Sequence, residues 1–498
     1  MRVWVVVVLL AVSAQAEGWP FGDAGRFVKW DLYNLGLLGA KASDAARPRP
    51  EKNAPPRSGR RAVQMEKPSH DNGPDALRIE ILLPDGPAAR AGLQSGDVIV
   101  GVGSKKFREA SLEVLAKALL KAESGKGVLT LMVSRAGRNE KIDVTVPVGG
   151  KDAAKPESRG RRRLIDAALA WLAKRQAEDG GYAQTLSGRN GAVVQTALAG
   201  LAWLGAGSDL KTGPYKDNVA RAAEWLAANV RGLEKDELGG RKPGGASWHQ
   251  GNWGWAHAAI FLGELHTRTP DPGVKEALEY CAAMIVQTQE KSGGWAHGPG
   301  GKNALGYLEL NIVTGFALGA LGLARQNGID VSASVLDRAE KFLKASSNGG
   351  GIAYSASNRG GGNIGRTAGC WLGYLALGRG KSKLGKSMAA FVKREADNAL
   401  GGHASLMQHI MLAGVAAHVH GSATAKAFWK SMRRDLVLAH SPDGSFQPRP
   451  WHESISMGSN SDVSFGEVWT TAAWTVVLVA QKSKDGIVGF PAWSGARK

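Results

Sequence analysis

The sequence predicts a multidomain protein in which a small α+β domain is followed by an all-α domain of six helix pairs closed into an (α/α)6 toroid. Three observations predict it. At 498 residues the chain is too long for one ordinary hydrophobic core. Before about residue 148, short stretches alternate apolar and polar residues with the period of strands, around one amphipathic helix. From Leu164 onward, Ala-, Leu-, Gly- and Trp-rich helical segments of two kinds alternate between Gly-Gly turns.

The chain opens with Arg2, an apolar run from Val3 to Val12 and then Ala14-Gln15-Ala16, the three parts of a cleaved secretory signal. Residues 1–16 are therefore expected to be removed, leaving Glu17 first in a secreted or periplasmic product. No later stretch approaches the roughly 20 apolar residues that a membrane helix needs, so no membrane span is expected. The formal charge of +19 is unevenly spread: residues 41–70 hold eight Lys/Arg against three acids, and 151–163 hold six against two. With about half of the excess in two linkers and export expected, nucleic acid is not an expected partner. Cys281 and Cys370 sit in apolar helical patterns, which favours two buried thiols over a bridge or a ligand role.

Residues 17–148 read as one small domain. Ala76 to Leu83 alternates as a strand, Pro84-Asp85-Gly86-Pro87 makes a turn, and Val98 to Val102 is a second strand. Leu112, Leu115, Ala116 and Leu119 have helical spacing, and Val128 to Val133 and Lys141 to Val146 close the domain as a hairpin. Residues 42–74, rich in Pro, Arg, Lys, Ser and Gly, read as a disordered basic insertion. The string Gly86-Pro87-Ala88-Ala89-Arg90-Ala91-Gly92-Leu93-Gln94-Ser95-Gly96-Asp97-Val98-Ile99 resembles PDZ domains of the bacterial secreted kind. The resemblance implies a partner's C-terminal peptide added to an exposed strand edge, with its carboxylate held by a backbone loop, here Leu35, Gly36 and Leu37. The insertion beside that loop leaves a purely structural PDZ-like fold as the alternative.

Residues 149–163 are expected to be a basic linker, 164–482 the toroid and 483–498 a C-terminal tail. Helices with one charged side, such as Leu164 to Gln176 and Val274 to Gln289, alternate with helices apolar almost all round, such as Ala192 to Leu204 and Trp253 to His266. The first kind should form an outer ring and the second a buried inner one. Between them Gln289-Glu290-Lys291-Ser292-Gly293-Gly294-Trp295 and the matching Gln176 to Tyr182 place Gln, Gly and an aromatic residue at fixed spacing. This resembles the Gln-Trp repeat of squalene and hopene cyclases, whose toroid is shared with prenyltransferase β-subunits and some polysaccharide lyases. The whole arrangement is similar to bacterial secreted PDZ-plus-toroid proteins of uncharacterised function. The resemblance implies a terpenoid cyclase/prenyltransferase-like fold and assigns no activity.

Candidate chemistry gathers where the inner helices should begin. His249, Trp253, His257, His297, Glu309, His403 and His452 are candidate ligand-binding residues there, and His257, His403, Arg366 and Glu309 are the candidates for catalysis. The acid string of the cyclases and the zinc pair of the prenyltransferases are both missing, and no two histidines stand at the i, i+4 spacing of a helical zinc site, so no metal or cofactor is expected. Two readings stay open. One is an envelope binding or scaffold protein whose toroid holds a glycan, lipid or peptide. The other is an exported carbohydrate-active, lyase-like or cyclase-like enzyme.

Overall fold

A computed structural model describes residues 19, 32–46, 74–108, 110–183, 188–233, 250–298, 309–358, 360–402, 405–449, 461–481, 487 and 489–495. The expected signal peptide and most of the expected insertion lie outside them. The insertion starts later than expected, because Ala42 to Asp44 belong to a strand with Ala42 fully buried.

The first domain is an antiparallel sheet with one long helix. Its strands are β1 (Tyr33–Asn34), β2 (Ala40–Asp44), β3 (Leu77–Leu82), β4 (Val98–Val102), β5 (Lys105–Lys106), β6 (Val128–Arg135) and β7 (Arg138–Thr145). They order as β1-β2-β3-β4-β6-β7, with β5 paired to β4. A short helix α1 (Pro87–Arg90) starts at a proline, and α2 (Ser111–Ser124) lays Leu112, Leu115 and Leu119 onto Ile79, Ile99 and Leu131 of the sheet. Asp97 ties the turn before β4 to β6: it accepts the Gln94 amide at 2.8 Å and a two-pronged bond from Arg135 at 2.8 and 2.7 Å. Arg135 thereby holds the Asp97 carboxyl below its ordinary range.

Six outer helices follow: α3 (Arg161–Arg175), α5 (Lys216–Asn229), α7 (Pro272–Gln287), α9 (Ala333–Ser346), α11 (Lys383–Arg394) and α13 (Ser422–Ala439). The inner helices are α4 (Gly188–Gly205), α6 (Gly251–Arg268), α8 (Asn311–Gln326), α10 (Ile364–Ala376), α12 (Leu406–His420) and α15 (Glu467–Val479), with a short α14 (Ser461–Phe465) before the last. Each inner helix packs on the next, and α15 packs back on α4, so the ring closes. Among the described residues no helix is long and apolar enough to cross a membrane.

The Gln–Gly–aromatic turns show why the repeat has that spacing. The Gln289 amide donates to Gly293 O (2.9 Å) in its own turn and to Val335 O (2.8 Å) on outer helix α9, while its oxygen accepts from Arg338. Gln176 does the same two repeats earlier with Gly180 O, Asn218 O and Arg221. The aromatic residue turns back to the helix just ended: Trp295 Nε1 donates to Ile285 O and Tyr182 Oη to Leu172 O. Gly293 has φ +98°, and a Cβ there would fall 2.2 Å from Arg338 O, so the turn presses on the neighbouring helix with no side chain between. The aromatic bonds reach last-turn carbonyls of the helix just ended and the glutamine bonds tie the turn to the next outer helix, which gives the repeat a structural role.

Two stretches differ from expectation. The segment 149–163 is packed rather than a free linker. Arg161 is buried and donates to Leu478 O and Gln481 O at the end of α15, Arg163 pairs with Glu123 of α2, and Glu157 pairs with Arg433 of α13. Basic composition suggests a solvated tether, yet arginine can cap the carbonyl end of a distant helix. The expected tail is likewise part of the toroid: Ile487, Phe490, Ala492 and Trp493 are buried. Trp493 N donates to Glu264, Gly489 N to Gly205 O, and Gln326 to Ala492 O, so this stretch covers the end of the ring where α4, α6 and α8 finish.

Candidate functional site

With one end of the ring covered by 487–495, the other end is where the inner helices begin, and there asparagines order the structure. Asn252 at the start of α6 donates its side-chain amide to Ala296 O (2.9 Å), Asn311 of α8 to Ala353 O (2.9 Å), and Asn363 before α10 to Gly401 O (2.7 Å). The backbone amides of Asn252 and Asn311 donate to His297 O and Tyr354 O. These three inner helices thus each clamp the loop of the following repeat, and His297 and Tyr354 take equivalent places. The Gly350-Gly351-Ile352-Ala353-Tyr354 copy of the turn was not singled out from sequence. Its signal was there, in parallel with Gly293-Gly294-Trp295-Ala296-His297.

The structure brings three of the predicted residues into contact. Trp253 Nε1 donates to His297 Nδ1 (2.8 Å), and His257 Nδ1 lies 2.8 Å from Trp253 O. Phe316 of α8, not anticipated from sequence, stacks on His257 with ring centroids 4.2 Å apart. An indole only donates and a carbonyl only accepts, so His297 carries its proton on Nε2 and His257 on Nδ1. His257 Nε2 is therefore a bare lone pair, buried and without a partner among the described residues. Burial pushes this imidazole down to about 4, against the bond to Trp253 O, so it is neutral at physiological pH.

Arg366 stands in the first turn of α10, half-buried, with its guanidinium 5.6 Å from the centre of the Tyr354 ring. Its Nε has no partner among the described residues. Burial pulls it down to about 10, which leaves it a cation at neutral pH. Next to it His409, missed as a site residue, bonds Asn363 Oδ1 through Nδ1 (2.8 Å) and is wedged between Gly365 and Gly402, where a Cβ would fall 2.3 and 2.8 Å from its ring. Among the carboxylates, Glu309 accepts from Ser292 Oγ (3.0 Å). Asp462 is buried under Ser405, the Met407 amide and Trp469, and burial raises its carboxyl. His249, His403 and His452 lie outside the described residues. Both cysteines are free and buried, as the sequence suggested, and burial raises both thiols. Among the described residues no three His, Cys, Asp or Glu come together as metal ligands would.

The Leu35–Leu37 loop is placed otherwise than a carboxylate site requires. It lies in a 3-10 turn, Gly36–Leu38, whose leucines are buried with Val437 and Leu438 of α13. A Cβ on Gly36 would fall 2.6 Å from Val437 O. The edge of β2 is also taken, since Lys41 and Ala42 pair with Asn34 and Tyr33 of β1. Buried Lys41 bonds Asn34 Oδ1 (2.9 Å) and Gln447 Oε1 (2.8 Å), fastening this corner to the toroid. A peptide carboxylate could reach the loop only if α13 lifted away.

The PDZ domain family matches residues 80–131. A family described as a domain of unknown function, DUF6288, matches residues 162–482, more than half of the chain. The chain belongs to the DUF6288 family. Its DUF6288 region coincides with the toroid, and a PDZ domain precedes it. Among solved structures, a UGL chain with dGlcA-Glc-Rha-Glc is 12% identical with a TM-score of 0.43, covering 67% of this chain and 98% of that one. A protein from Actinoplanes is 14% identical at TM-score 0.37, covering 64% and 98%. A family 76 glycoside hydrolase from a bovine Bacteroides thetaiotaomicron strain is 9% identical at TM-score 0.42, covering 71% and 83%. No curated protein matches the chain.

Proposed function

We propose that the DUF6288 toroid binds an acidic saccharide at the end where its inner helices begin, with the PDZ domain packed against its flank. The observation that carries this reading is Arg366, a half-buried cation with an orphaned Nε, standing over Tyr354 at that end. A cation kept partly out of water and not bonded to a carboxylate suits an anionic ligand, because such charge-assisted bonds strengthen as solvent is excluded. Half-buried Trp253 and Tyr354, on the same end, offer flat faces on which sugar rings stack. Titration calorimetry with a uronate oligosaccharide should show binding that falls about 10- to 100-fold in Arg366→Ala and about tenfold in Trp253→Ala. Equal affinity for a carboxyl-reduced, neutral analogue would end this reading.

One observation favours turnover as a second reading. The neutral His257 carries a lone pair on its buried Nε2; once uncovered to a uronate it would take the C5 proton as the C4–O bond breaks and water protonates the departing oxygen, while Arg366 would neutralise the carboxylate. The same titration, followed for the ultraviolet absorbance of a new C4–C5 double bond, decides it: growth that His257→Ala abolishes supports a lyase, and a flat trace supports binding alone. Export belongs to both readings. It rests on Arg2 and the Val3 to Val12 run, and predicts that the intact mass of the secreted chain corresponds to a start at Glu17.

A further inference from the structure

The seam between the PDZ domain and the toroid holds a cleft of about 840 Å³, walled by α2 on one side and α13 on the other. Val437 of α13 joins the PDZ core, and residues of both helices line the cleft. The face that α2 turns to the cleft repeats at i, i+3, i+4 and i+7, with Ala116 and Leu120 as its apolar members. From α13, Ala423 and Ala427, one turn apart, contribute small side chains. Two facing helices with small side chains between them offer a groove that a third helix can fill, since small residues let a helix axis approach closely.

The charge on the rim selects the occupant. Lys117 is bridged to Glu113 of its own helix at 3.0 Å, Arg433 is held by Glu157 and Arg434 lies beside Asp435, while exposed Asp397 is an acid on the same lining. Lys426 and Lys430 stand exposed, one turn apart on α13, with no ion pair among the described residues. The chain's own segment 47–73 carries seven Lys/Arg against three acids, the wrong sign for this rim. We infer that this cleft is a docking site for an acidic amphipathic helix of a partner protein, its apolar face on Ala116, Leu120, Ala423 and Ala427 and its carboxylates on Lys426 and Lys430.

The test uses the full mature chain and a fluorescein-labelled 18-residue peptide with Leu and Ala on one helical face, Glu on the others and an amidated C-terminus, read by fluorescence anisotropy. Binding is expected, weakened about tenfold by the double substitution Lys426→Glu and Lys430→Glu. It should also be lost when Ala427→Trp fills the floor, with thermal midpoints unchanged in both variants. Charge reversal at Lys383 and Lys386, on α11, should leave it intact. Indifference to both cleft variants overturns the proposal. So does equal binding of a scrambled peptide of the same composition, or displacement of the peptide by an acidic polysaccharide regardless of peptide sequence, either of which assigns the cleft to polyanions in general. Binding that appears only when the peptide has a free C-terminal carboxylate also overturns it, in favour of the Leu35–Leu37 loop.

Discussion

Taking the protein from pH 7.5 to pH 5 should cost about 6 kcal/mol of folding stability through three histidines, His257, His418 and His440. Burial pushes His257 and His418 down to about 4, and burial with the nearby Arg163 pushes His440 down to about 3. The unfolded chain takes up all three protons near pH 6.5 while the folded chain refuses them. Between pH 6.5 and about 4 the unfolded state therefore holds more protons, and stability falls as pH falls. At pH 5 each site contributes about 2 kcal/mol of that loss, and together they should lower the thermal midpoint by roughly 5–10 °C. Asp462 and Glu123 work in the opposite sense, because burial raises their carboxyls. Scanning calorimetry at the two pH values, on the native chain and on His257→Phe, checks the assignment. The variant should lose about a third of the histidine contribution, and an unchanged midpoint in the native chain would refute it.

Gly293→Ala should be among the most damaging single-methyl additions, costing about 3 kcal/mol or more in urea unfolding. Two effects combine at this position: the backbone is left-handed, and the added Cβ would press on Arg338 O of α9. Gly328 separates them. It has φ +79° with nothing within 4 Å of a Cβ, so Gly328→Ala should cost only about 1 kcal/mol. Equal losses in the two variants would mean that turn conformation alone, and not contact between turn and outer helix, makes the repeat glycine necessary.

These same turns mark what the sequence could and could not tell. Gln176 and Gln289 were readable as helix-end bonders because every partner lies within one repeat, and the two kinds of helix were readable because burial on one side or all sides leaves its mark on composition. Trp253, His257 and His297 could be grouped for the same reason, being ring-bearing residues at the starts and turns of neighbouring repeats. Gly36 was read as an open loop. What covers it, Val437, lies some 400 residues further on and leaves no local trace. Arg161, Arg163 and Trp493 misled in the same way, since a basic run or a short terminal stretch looks solvated until a distant surface receives it. Tyr354 escaped notice because Ile352 stands where other copies of its turn have an aromatic residue.

The stretch 487–495 also sets how a polymer can meet this protein. Among the described residues, Phe490 and Trp493 lie buried where α4, α6 and α8 finish, opposite the end proposed for the saccharide. A long chain bound as proposed would meet this cover instead of being threaded through and drawn along. It must offer a terminus or a protruding branch, and leave by the way it came. Affinity should accordingly follow the number of chain ends in a sample rather than its total mass.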